Sequence, residues 1–148
     1  MEKLSKHLTV AEFIASPTAT RLGISNEMTA EHLANAKIVA EKLFEPIRAF
    51  RGAPIKLNSG YRSEALNKRI GGSKTSQHMK GEAMDLPLTA KEFHFIRENL
   101  DFDQLIWEFG TNKQPQWVHV SYNCNGKQRK QVLRAEKING KTKYSPFT

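Results

Sequence analysis

A chain of 148 residues with 39% hydrophobic content is the size of one domain around one core, so a single active centre is expected. One cysteine, Cys124, excludes an internal disulfide and a cysteine-rich zinc site, and no apolar run reaches the length of a membrane span. The formal net charge of +8 is unevenly spread, because from Asn125 onward seven Lys/Arg stand against one acid, Glu136.

The first stretch, "MEKLSKHLTVAEF", lacks the apolar run and small-residue cleavage site of a secretory signal, which predicts synthesis in the cytoplasm. Within it Thr9 and Glu12 form a capping box, with Leu8 and Phe13 spaced as a hydrophobic staple, so a short helix is expected to start there. "SPTATRLGISN" reads as a turn-rich connection. Between Thr29 and Phe50, the residues Leu33, Ala36, Ala40, Phe44 and Ile47 form the stripe of a long core helix, with Pro46 placed to kink its last turn. "PIKLNSGYRS" alternates like a strand ending in a turn. Ser63 is a cap for a helix to Ile70, which Gly71 and Gly72 stop.

A short strand is expected around Met84 to Leu86. Thr89 with Glu92, and Leu88 with Phe93, then repeat the capping device for a helix to about Leu100. "DQLIWEF" and "WVHVSY" read as a hairpin with a long loop, and Gln131 to Ala135 as a further strand. Helices first and strands later predict an α+β domain with a small antiparallel sheet.

The chemistry concentrates in "SQHMKGEAMDL" and "WVHVSY". A strand over the second puts Trp117, His119 and Ser121 on one face and Val118, Val120 and Tyr122 on the other. Together His78, Asp85 and His119 offer two imidazoles and one carboxylate, a set that leaves zinc an open fourth position. By spacing alone each histidine also fits a structural side chain, and the first stretch a surface loop.

"SQHMKGEAMD" resembles the Ser-x-His-x-x-Gly-x-Ala-x-Asp signature of the zinc D-alanyl-D-alanine peptidases, a group that includes L-alanyl-D-glutamate endolysins and, as a distant fold relative, the hedgehog signalling domain. "NSGYRS", "GGSKTSQH" and "WVHVSY" are similar to that family in the same order, from about Leu8 to about Tyr122. The resemblance implies a hedgehog-like fold, with residues 1–124 as the zinc peptidase domain and 125–148 as a basic extension completing it. It implies Zn2+ held by His78, Asp85 and His119, with Arg62 as the oxyanion and substrate contact and Ser76 as a substrate hydrogen-bonding residue. Read as residues alone, Arg62 also suits a helix cap, and Ser76 a loop hydroxyl serving its own backbone.

The expected general base is displaced. Relatives place a glutamate or histidine where this chain has Gln116 and Gln114, and glutamine accepts no proton. Glu108, on the preceding strand and on the face of Gln104 and Ile106, is the candidate, with a structural carboxylate as the other reading. Glu82 is read as pointing to solvent, and Cys124 as neither ligand nor nucleophile.

The implied function is hydrolysis of D-amino-acid-containing bonds in peptidoglycan stem peptides, as a carboxypeptidase or an endopeptidase. A non-catalytic zinc-containing cell-wall-binding module is the alternative. The protein is expected to be a monomer without a membrane span that acts on the wall, with phage-type release open. The basic tail would be drawn to anionic wall polymers; it lacks the motifs of a nucleic-acid binder.

Overall fold

The computed structural model describes residues 2–148. Helix starts follow their capping signals. Thr9 Oγ1 accepts the Glu12 N–H at 3.1 Å while the Glu12 carboxylate accepts the Thr9 N–H at 2.9 Å, opening α1 (Val10–Ile14). Thr89 and Glu92 do the same for α6 (Ala90–Asn99), and the paired apolar residues, Leu8 with Phe13 and Leu88 with Phe93, are buried. Ser63 caps α5 (Glu64–Arg69) by accepting the Leu66 N–H at 3.2 Å.

Two stretches depart from the sequence reading. The expected connection after Ala15 contains a helix, α2 (Pro17–Leu22), with Ser16 as its cap, proline in its first turn and left-handed Gly23 at its end. Proline and glycine here punctuate a helix instead of a turn. Conversely, "PIKLNSGYRS" forms no strand; it is extended chain with one isolated bridge, Ser59 to Asp85. Pro54 supplies no backbone donor, and the ladder stops at that single pair.

The long helix is continuous but not uniform. α3 (Ala30–Val39) passes through a π-helical turn, Ala40–Phe44, into α4 (Glu45–Arg51). Pro46 has no N–H and its ring would crowd the carbonyl four residues back, and the chain widens the preceding turn into a π-helical one. Arg51 pairs with Glu92 at 2.6 Å, tying α4 to α6.

Strands β1 (Lys3–Ser5) and β2 (Leu8–Thr9) form a small antiparallel pair. The main sheet holds β3 (Ala83–Leu86), β4 (Gln104–Glu108), β5 (Trp117–Ser121), β6 (Gln131–Ile138) and β7 (Lys141–Pro146) in the order β3-β5-β4-β6-β7. All neighbours are antiparallel except β4 and β6, which run parallel. The fold is α+β.

One sheet face, with Met84, Leu86, Leu105, Trp107, Val118 and Val120, is buried in the core with Val39, Leu43, Ile47, Phe93 and Ile96 of the helices. The other face carries Asp85, Ile106, Glu108 and His119. Among the described residues no helix is long and apolar enough to cross a membrane.

Candidate metal centre and active site

Strand register brings the first two candidate ligands together. Asp85 and His119 are direct partners between β3 and β5, so their side chains share a face, and Asp85 Oδ1 lies 3.1 Å from His119 Nδ1. His78 arrives from a 3₁₀ turn, Gln77–Lys80, that left-handed Gly81 ends. Its Nε2 is 3.4 Å from Asp85 Oδ2, and one ligand atom from each of the three residues lies within 4.8 Å of the others.

A backbone group orients His78. The Gly60 carbonyl, which can only accept, lies 2.6 Å from His78 Nδ1; the proton therefore sits on Nδ1 and the lone pair of Nε2 faces Asp85. Residue 60 must be glycine for this approach, because a Cβ there would strike the Phe13 carbonyl. The same segment is pinned to β3 by Asp85 N–H donating to Ser59 O at 2.8 Å.

Electrostatics set the protonation states that a metal needs. Burial pushes His78 below its ordinary value, against the pull of Asp85, so it is a neutral imidazole. Burial also works against the Asp85 charge, but His78 and His119 outweigh it and hold the carboxyl well below the usual carboxylate range. Two imidazoles and one ionised carboxylate suit zinc and leave a coordination position open.

Glu108 stands on the same face as this group. Its neighbour two residues back, Ile106, is the direct partner of His119, and Glu108 itself is the partner of Trp117. Burial pushes Glu108 up to about 7, with Asp85 adding to it, while His119, a hydrogen bond from Trp117 and the Arg62 charge pull it down. Trp117 is held in turn by Phe109, whose ring lies 5.3 Å away in an edge contact. Phe109 has φ of 55°, an uncommon conformation for a bulky residue, and keeps it while donating its N–H to Ala135 O at 2.9 Å.

Arg62 joins the group beside His78. Its N–H donates to His78 O at 3.1 Å, and the guanidinium feels both Asp85 and Glu108 although burial disfavours its charge. Its Nε is buried without a partner among the described residues. Ser76 Oγ accepts the His78 N–H at 3.2 Å, so the hydroxyl oxygen supports the ligand's own turn and its proton remains to be donated.

The reading of Glu82 is corrected. Glu82 does not point to solvent; it is buried and accepts the Cys124 N–H at 2.9 Å. Burial and Glu82 push the Cys124 thiol up to about 12, and the residue lies outside the ligand group. Within the basic tail, Arg129 pairs with buried Asp103 at 2.7 Å. Sequence reasoning missed Gly60, whose signal is a glycine one residue before the buried Tyr61 of "SGYR", and it missed β7.

A three-ligand His–Asp–His group with a proton-holding carboxylate and an arginine around it is the layout of a metallohydrolase. The Peptidase M15 family matches residues 6–121, and the chain belongs to that family. It is similar to the zinc D-Ala-D-Ala carboxypeptidase of Streptomyces albus G, with 38% identity over 60 residues, which are 40% of this chain and 24% of that protein. Its likeness to that relative spans less than two thirds of the relative's length.

Proposed function

We propose that this chain is a zinc-dependent murein peptidase that hydrolyses D-amino-acid-containing bonds in peptidoglycan stem peptides. The observation that carries the reading is Glu108 on the same sheet face as the His78–Asp85–His119 group, with its carboxyl raised to about 7. The relative that cleaves D-Ala-D-Ala supports the substrate class.

Bound zinc supplies Lewis acidity to the scissile carbonyl and to water. Glu108 accepts a proton from the attacking water and returns it to the leaving amine nitrogen as the C–N bond breaks. A carboxyl near neutrality suits both halves of that exchange. Arg62, whose guanidinium feels Asp85 and Glu108, donates to the substrate oxygen that gains charge, or to a substrate carboxylate. Ser76 donates its hydroxyl proton to the peptide. Exposed Lys127 and Lys137 favour an anionic wall polymer.

Purified peptidoglycan digested with and without a chelator tests this, with the released peptides identified by mass. Release of stem-peptide fragments only without chelator is expected, and the fragments assign carboxypeptidase or endopeptidase action. Equal release in both arms, or none in either across several wall types, would sink the reading.

A further inference from the structure

We propose that Tyr144, on β7 and outside the family-matched span, is a further substrate-binding residue of this cleft, its phenol donating a hydrogen bond to a peptide oxygen of the stem on the Glu108 side. The inference rests on the proposed peptidase reading and extends it to a segment set aside above as a basic tail.

Register places the residue. Trp117 pairs with Glu108, Glu108 with Ala135, and Ala135 with Tyr144, so four side chains form one row across β5, β4, β6 and β7. Direct partners project from the same face, which makes Tyr144 a member of the face that holds Asp85 and His119. The residue between it and Glu108 is alanine. Two strand spacings separate the backbones of Tyr144 and Glu108, about 10 Å, and a single methyl group in the gap lets a tyrosine lean across it. Ala135 has 0% exposure although it sits on the cleft face of the sheet, so longer side chains of its row cover it.

The phenol itself is left available. Tyr144 is 53% exposed, and its hydroxyl makes no hydrogen bond among the described residues. Partial burial, then the charges of Glu108 and Asp85, push it above its ordinary value. It therefore stays a protonated donor at working pH, and the two site carboxylates are close enough to act on it.

Position gives the consequence for specificity. Arg62 joins the face beside β3, whereas Tyr144 closes it on β7, at the opposite end of the strand order. Five strands span about 19 Å, the length of about five or six extended residues. A peptide laid across the strands from Arg62 past the metal group would meet Tyr144 just beyond Glu108. The structural alternative, an exposed ring that only shields Ala135, predicts no dependence on the hydroxyl.

The test compares the zinc-loaded wild type with Tyr144→Phe, Tyr144→Ala and, as a control on the opposite face of the same strand, Lys143→Ala. The substrate is a stem pentapeptide. Tyr144→Phe is expected to raise KM about five- to tenfold, the worth of one hydrogen bond, with kcat changed less than about threefold and zinc content unchanged. Tyr144→Ala should be no better, and Lys143→Ala should match the wild type. KM within twofold of wild type in Tyr144→Phe overturns the inference, whatever Tyr144→Ala does, while leaving the peptidase reading intact. A wild type that cleaves no stem peptide removes that reading and the inference together.

Discussion

The Gly60 carbonyl stands 2.6 Å from His78 Nδ1, and through it a backbone oxygen decides which nitrogen of a buried histidine faces the metal group. Gly60→Ala would drive a Cβ against the Phe13 carbonyl and displace that oxygen. Zinc affinity is expected to fall about 10- to 100-fold, as for loss of an outer partner of a metal-bound histidine. Competition with a chromophoric chelator measures it, and an unchanged affinity would show that the carbonyl does not orient the ring.

Removal of a ligand should empty the site. Two remaining donors rarely hold zinc tightly, so His119→Ala and Asp85→Asn are each expected to leave less than about a tenth of the wild-type zinc after dialysis. Metal analysis on folded protein decides it. Stoichiometric zinc in His119→Ala would move the site elsewhere.

Glu108 couples activity and stability to pH with opposite signs. The base works when ionised, so kcat/KM should rise with pH along an acidic limb centred below the metal-free value of about 7, because the zinc charge favours the carboxylate, and Glu108→Gln should lose about two to four powers of ten in turnover while keeping zinc. Its folded value lies above the ordinary 4.5, so the folded state binds the extra proton between the two. The stabilisation is present below about pH 4.5 and is lost as pH rises through about 7. In the metal-free protein this amounts to something on the order of 3 kcal/mol, and Glu108→Gln should remove that part of the pH dependence. Parallel melting curves for the two proteins from pH 5 to 8 would argue against the assignment.

Arg62→Ala should keep fold and zinc yet lower turnover about 10²- to 10³-fold, the scale of a lost oxyanion donor. Arg62→Lys is expected to restore little, because lysine replaces a planar fork of donors with a point charge. Near-normal kcat in either variant would return the arginine to a packing role.

The ligand group is legible in sequence because side-chain identity and strand alternation are both written there. A histidine and an aspartate around a left-handed glycine, plus a histidine on an alternating strand, define three donors, and Glu108 follows from counting back along the partner strand. Gly60 is harder to see because its contribution is a carbonyl, which every residue has; only the crowding against Phe13 makes glycine necessary. The helix at Pro17 hides because its proline and glycine also suit turns, and the capping role of Ser16 becomes visible only with the Ala19 N–H in place. The last hairpin had a clear local signal in Asn139-Gly140, both with positive φ, that the surrounding charges obscured. No local pattern announces the parallel pairing of β4 with β6, since it joins residues on either side of β5.

That parallel pairing makes residues 125–148 the cover of a central strand's backbone. A chain cut after Cys124 would present the full outer edge of β4 unpaired, a row of N–H and C=O groups ready to template another copy. Trp107 on that strand would also lose the Arg134 guanidinium and the Phe147 ring that lie against it. Premature termination or a proteolytic nick there would yield a self-associating, aggregation-prone fragment, so a shortened chain that precipitates says nothing about what the tail binds.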